Sequence, residues 1–213
     1  AGAPVAMVHC NNFTSDFDAW VKLIAEGITL MGSEVNKPAL YDALYFEALK
    51  GDPDGGGLLA YNYLSGEHIT GFDQGRPLLT RLPDSQLSIA NLMRTLIFSA
   101  LGTLRIGMEI LVENEHVRLE QLLGHGGFFI TEEVGQRMMA AALNVPVAVM
   151  DSASEGGAWG IALLAQYLRE GKGENLEEYL EKKVFASHTG TVIKPDEKDV
   201  EGFNQFIKRY KKG

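Results

Sequence analysis

Gly124-His125-Gly126-Gly127 closes an apolar stretch and precedes a helix, and its reading decides the fold. Upstream, residues 117–123 (VRLEQLL) have strand character. Downstream, residues 131–143 have helical spacing and residues 146–150 (PVAVM) read as the next buried strand. Strand, glycine turn, helix and strand make a right-handed crossover unit, and such sheets bind ligands at the carboxyl ends of their strands. Three glycines in this turn let the backbone approach a ligand more closely than side chains would allow. Taken alone, the pattern points to a nucleotide-like ligand and no further.

The chain has 213 residues, enough for one large domain or two small ones around a sizeable core. Hydrophobic content of 46% and charged content of 22% are those of a soluble globular protein. A net charge of −9 argues against nucleic acid or an acidic membrane as partner, since both require positive potential. The one basic cluster, Lys208-Arg209-Tyr210-Lys211-Lys212, reads as a solvated tail. The single cysteine, Cys10, excludes an intramolecular disulfide and fits a reducing compartment, so a cytoplasmic location is expected. Cys10 itself reads as a small hydrophobe in a strand, not as a catalytic thiol. No apolar run of membrane-spanning length and no signal-peptide pattern is read. The opening Ala1-Gly2-Ala3-Pro4 suggests a piece of a longer protein. His9, His116, His125 and His188 lack metal-ligand spacing, and His125 reads as a turn residue, not a phosphate contact.

Around the central unit, residues 4–10 (PVAMVHC) read as a buried strand. Residues 15–31 read as a helix with a Ser15/Asp18 capping box and an inward face of Phe17, Trp20, Val21, Ile24, Ile28 and Met31. Asn36 and Pro38 open a second helix, with Tyr41, Leu44, Tyr45 and Leu49 inward, that ends at Gly51. Residues 51–57 are a loop by composition, 58–64 a strand, and 65–81 a polar, glycine-punctuated connection. The longest helix, 85–113, starts at Pro83-Asp84-Ser85, and its wide apolar face makes it the spine against the sheet. Helices follow at 154–169, 174–183 and 195–211.

Two readings of the glycine turn compete. A dinucleotide site would use Gly124-x-Gly126, the helix, and Asp151 at the end of the second strand for a ribose. The third glycine of that fingerprint falls at Phe129, and the helix starts late, near Thr131. Glu132 and Glu133 in its first turn are favoured by the helix dipole and would repel a phosphate placed there. A nucleotide bound here would therefore present its base or ribose. The other reading uses residues 154–165 (SEGGAWGIALLA), whose helix a Ser152/Glu155 capping box would open. Glycines in a helix cost about 1 kcal/mol each, so Gly156, Gly157 and Gly160 require something close to that backbone. Tight packing on the next strand explains Gly160 as well as a ligand does; for Gly156 and Gly157 a ligand is favoured.

Three blocks resemble one family, the FGGY sugar kinases that include glycerol kinase and xylulokinase. Residues 57–68 (GLLAYNYLSGEH), continuing to Asp73-Gln74-Gly75-Arg76, look like its "PYxxGER … DPxARG" stretch. Gly124-His125-Gly126-Gly127 with residues 136–147 (QRMMAAALNVPV) is similar to its glycine turn, helix and "LGVPV" strand. Residues 154–165 match its "TEAGALGAALLA" helix. The resemblance implies an α/β, actin-like ATPase (ribonuclease H-like) lobe, a mixed sheet flanked by helices. It would lack the first hairpin, whose turn cradles ATP phosphates, since only one strand precedes the first helix.

Residues 1–213 would then be the C-terminal nucleotide-binding lobe of a two-lobe kinase that phosphorylates a sugar, a xylulose-like ketose or a polyol. Carried over, the adenosine contacts are Gly126, Gly127 and Phe128, with Gly157 opposite and Thr131 as a polar neighbour; Gly156 joins them from the helix-glycine reading. The implied cofactor is ATP with Mg2+, the metal held by the phosphates and the missing lobe. Implied partners are the chain's own N-terminal lobe, the sugar and, as an open alternative, a second copy in a homodimer. No catalytic residue is assigned in this chain, so the isolated fragment is expected to be inactive. Glu67 and Asp73 read as turn and interdomain hydrogen-bond partners. Where the family has Arg and Gly this chain has His68 and Pro77, which motivates a second hypothesis, a non-catalytic actin-like interaction or regulatory module.

Overall fold

Thirteen consecutive residues of one helix, from Asn91 to Thr103, are buried, and the other elements are arranged about them. The computed structural model describes residues 5–150, 156–171, 173–185 and 190–212. In chain order the elements are α1 (Thr14–Leu30), α2 (Lys37–Ala48), β1 (Leu59–Tyr61), β2 (Leu78–Thr80), α3 (Ile89–Glu109), β3 (Leu122–Gly124), α4 (Val134–Leu143), β4 (Val147–Met150), α5 (Gly156–Glu170), α6 (Leu176–Tyr179), β5 (Gly190–Ile193) and α7 (Glu197–Tyr210). Their three-stranded sheet has the order β3-β4-β5, parallel between β3 and β4 and antiparallel between β4 and β5. A separate ladder joins β1 and β2 antiparallel.

The spine is α3. It starts at Ile89, four residues later than the sequence predicts, and its cap is Ser88, whose hydroxyl accepts from the Asn91 amide at 3.1 Å. The Ser85 hydroxyl is taken by the turn ahead, accepting from Leu82 N and donating to Gly57 O. After Glu109 the helix widens into a π turn, Ile110–Asn114. The span Ile89–Asn114 is long and apolar enough to cross a membrane, contrary to the sequence reading, with a mean hydropathy of 1.6 over its most apolar 18 residues; 56% of that window is buried inside the protein, as in a core helix.

Polar residues on α3 are not an exposed stripe. Asn91 accepts from Asp52 N at 2.7 Å and donates to Gln86 O, while Thr95 donates to Gly55 O. The loop of residues 51–57 thus lies on α3 through its backbone. Gly55, Gly56 and Gly57 have φ of +77°, +62° and +74°, and a side chain at Gly55 would meet Thr95 Oγ1. These glycines serve packing.

On the other side of α3, rings from α1 and α2 fill the core. Phe17 stacks on Tyr45 with centroids 4.7 Å apart, and Phe13 meets Phe128 edge-on at 4.6 Å. From α7, Phe203 packs edge-on against Phe98 at 4.9 Å. Burial pushes the Tyr45 phenol up from 10.0 to about 12, with the Asp18 charge adding to it. A raised phenol favours the neutral form in the folded state, so its contribution is complete below pH 10 and is lost as pH rises through 12. Unfolding monitored across that window should therefore show falling stability, and Tyr45→Phe should lessen the fall.

Several expectations are corrected. Residues 5–10 form no strand, and Val5 and Met7 are 87% and 84% exposed. Among the described residues this run has no strand to pair with, and Val8 instead seats where Gly107 of α3 leaves room. Cys10 therefore lies in irregular chain, and burial pushes its thiol up, against thiolate formation. The Ser15/Asp18 capping box is not made: α1 begins at Thr14 after an N-cap position at Phe13 without a side-chain bond. Asn36 does cap α2, accepting from Ala39 N, with Pro38 in the first turn. The strands β2 and β5 are not expected from the sequence: β2 lies in the stretch that reads as a polar connection, and β5 lies between two expected helices.

Candidate functional site

Register places the site. Gly124, the last residue of β3, pairs with Val149, so the glycine turn and the start of α5 leave the sheet at the same carboxyl edge of a parallel pair. Residues 151–155, including Asp151, Ser152 and Glu155 of the two sequence arguments, lie outside the described residues.

The four turn residues do different jobs. Phe129 folds back so that its ring lies over Gly124, where any side chain would collide with it, and the same ring and the Phe128 carbonyl leave no room at Gly135. Gly124 and Gly135 are thus glycine for packing. Gly126 takes φ +92° and opens the short 3-10 turn Gly127–Phe129, closed by Phe129 N donating to Gly126 O at 3.0 Å. A Cβ built on Gly126 or Gly127 would meet nothing within 4 Å. The same is true of Gly157 and Gly160 on α5. Among the described residues no packing accounts for these four, and the close-packing explanation of Gly160 is not the one the structure supports.

A cavity of about 370 Å³ adjoins this edge, walled by Leu123 from β3, His125 from the turn, Met150 from β4, and Trp159, Gly160 and Leu163 from α5. Phe185 closes it, its ring edge-on to Trp159 at 5.8 Å. That volume is within the range of pockets that hold small organic ligands, about 300–1,000 Å³. His125 is its one titratable wall. Sequence reasoning missed most of this lining. Trp159 stood inside the glycine-rich block as a signal, whereas Phe185 follows a segment that reads as a peripheral helix.

The remaining predicted residues are placed as follows. The Phe128 ring is 7% exposed and buried against Phe13 and Tyr45, so only its main chain can face a ligand. Thr131 donates its hydroxyl to Asp42 Oδ1 at 2.8 Å, which ties the turn to α2. Gly156 is the first residue of α5. Glu132 and Glu133 come before the first turn of α4 and not within it, because that helix begins at Val134. Glu133 takes φ +66°, a conformation costly for a residue with a side chain. Gln136, just inside α4, ties that helix to β4 and β5: its Nε2 donates to Val147 O and Thr191 O, both at 3.0 Å, and its Oε1 accepts from Thr191.

Glu67 and Asp73 separate. Glu67 is fully buried and accepts from Asn11 N and Asn12 Nδ2, a turn-holding role, while Asp73 is exposed. Among the described residues no group of three His, Cys, Asp or Glu could hold a metal.

The model of the C-terminal domain of the FGGY family of carbohydrate kinases matches residues 1–168. The chain belongs to that family. Solved FGGY-type structures share its fold at low identity. The xylulose kinase from Rhodospirillum rubrum is 19% identical with a TM-score of 0.63, over 91% of this chain and 36% of that one. The ligand-bound xylulose kinase from Lactobacillus acidophilus is 19% identical at 0.63, over 78% and 32%. The Plasmodium falciparum glycerol kinase with ADP is 16% identical at 0.59, over 78% and 33%. This FGGY domain therefore spans between 32% and 36% of the length of these kinases. No curated protein matches it in sequence. The fold is an actin-like, ribonuclease-H-type lobe, as the resemblance implied.

Proposed function

We propose that the intact protein phosphorylates a sugar, a xylulose-like ketose or a polyol, with ATP in the cytoplasm, and that this domain forms the adenosine side of the cleft. One observation carries this: Gly126, Gly127 and Gly157 leave backbone open to space that no described packing uses, beside a cavity of about 370 Å³ at the sheet's carboxyl edge. A flat, apolar-faced heterocycle fits walls made of Trp159, Leu163 and Phe185, with His125 within reach of its polar edge. Gly126, Gly127, Gly156, Gly157 and the Phe128 main chain would border the ribose, with Thr131 at the rim.

These residues bind and orient; they hold no proton to transfer. When bound, MgATP supplies the phosphoryl group, and positioning with charge stabilisation carries such transfers. The acidic Glu132 and Glu133 beside the turn direct the phosphates away from this domain, and the groups that hold them and the metal belong to the N-terminal lobe. Closure of that lobe on this one would exclude water. The structural relatives named for xylulose and glycerol kinases support the class of substrate, and a glycerol kinase solved with ADP supports the nucleotide.

A coupled ADP-release assay of the full-length protein against ketoses and polyols tests the proposal. Turnover with at least one member is expected, and none with this domain alone. Robust phosphorylation by the isolated domain would contradict the reading that this chain holds no catalytic residue. Absence of both turnover and ADP binding in the full-length protein would favour the non-catalytic module.

A further inference from the structure

The basic cluster at the end of the sequence is not a solvated tail. Arg209 pairs with Asp54 at 2.8 Å, the Tyr210 ring is 3% exposed, and Lys211 pairs with Glu109 at 2.6 Å. The last turn of α7 is thereby fixed as one wall of a second cavity, of about 670 Å³, none of whose lining residues lines the cavity beside the glycine turn.

The walls of this second cavity are rings. Tyr61 and Tyr210 lie 4.7 Å apart between centroids, and Tyr63 and Phe72 lie 5.2 Å apart. Their hydroxyls are largely engaged within the protein: Tyr61 donates to Tyr210 O at 2.7 Å and Tyr210 donates to Tyr63 at 2.8 Å. Tyr63 and Tyr210 are each only 3% exposed, so the half-buried Tyr61 and the exposed Phe72 offer a ligand most of the ring surface. Ile106 of α3 and Leu78 of β2 add apolar surface. The charged lining is all of one sign: Arg76, Lys211 and Lys212, with no carboxylate among the lining residues. Among the described residues Arg76 and Lys212 enter no ion pair, and both are exposed at the rim. Lys211 is offset by Glu109, which leaves Arg76 and Lys212 as two unpaired cations on the same rim of a chain of net charge −9. Arginine and lysine over an aromatic floor suit a ligand with a charged end and an apolar, ring-shaped body.

We propose that this cavity between the loop of residues 61–78 and the end of α7 binds a small anion with an aromatic or apolar ring, a carboxylate or phosphate end lying on Arg76 and Lys212. The site is independent of the nucleotide cleft.

Phenyl phosphate, inorganic phosphate and benzyl alcohol, titrated calorimetrically into the full-length protein with saturating ADP, test this. Phenyl phosphate should bind at least tenfold more tightly than either of the others. Arg76→Ala with Lys212→Ala, and separately Phe72→Ala, should each weaken it at least tenfold. All three side chains are exposed, so the thermal midpoint should stay within a few degrees of wild type and show that the fold is intact. Three results would overturn the proposal: phenyl phosphate no better than inorganic phosphate, affinity indifferent to these substitutions, or binding seen without ADP and abolished by it.

Discussion

Replacing Arg94 with alanine is expected to destabilise the protein by roughly 3–5 kcal/mol, the cost of removing one partner from a buried ion pair. The Arg94 side chain is 2% exposed. Its Nη2 donates to Asp199 Oδ1 at 2.9 Å and its Nη1 donates to Gly51 O at 3.0 Å. The guanidinium also lies 5.4 Å from the centre of the Phe98 ring. One side chain on α3 therefore joins the loop of residues 51–57 to α7. Alanine leaves the Gly51 carbonyl and the Asp199 carboxylate without their main partner. Arg137, 3.7 Å from the other Asp199 oxygen, compensates only in part because it is itself half-exposed. Urea unfolding of the variant should show a large drop in midpoint. A change equivalent to less than about 1 kcal/mol would mean that the pair is no more than a surface contact.

The second large effect concerns binding and leaves the fold alone. Gly127→Leu and Gly157→Leu each add a side chain where the structure shows open space. In α5 the change at Gly157 should even favour the helix, since leucine exceeds glycine in helix propensity by up to about 1 kcal/mol. ADP affinity of the full-length protein should nonetheless fall at least tenfold for each, or about 1.4 kcal/mol and more. Stability held or raised while binding is lost separates a ligand-facing glycine from a packing glycine. Gly135→Leu is the contrast: its side chain would run into the Phe128 carbonyl, so stability itself should fall.

That contrast also shows where the sequence was legible. The crossover unit, the long spine helix and the Asn36-Pro38 start were readable because each depends on local signals: periodicity, a cap, a proline. Glycine content was readable as a site but not as a role. Gly55, Gly56 and Gly57 look as ligand-like in sequence as Gly126 and Gly127, and only their closeness to Thr95, Asn91 and Ser85 reveals them as packing. The strands β2 and β5 escaped because they are short and largely exposed, so no hydrophobic alternation marks them. Residues 5–10 failed in the opposite direction. Their composition is that of a strand, but a strand needs a partner, and none is present among the described residues. Ser15 shows the limit of capping rules: a hydroxyl can cap only where the backbone starts to wind, and α1 already winds at Thr14.

Backbone hydrogen exchange of the full-length protein with and without ADP tests the central claim most directly. Bound ADP should slow exchange in the segments of residues 122–130 and 156–164, which carry the open glycines and the cavity wall of Trp159. ADP binding that leaves both segments unprotected would contradict the assignment of the adenosine side of the cleft to this domain.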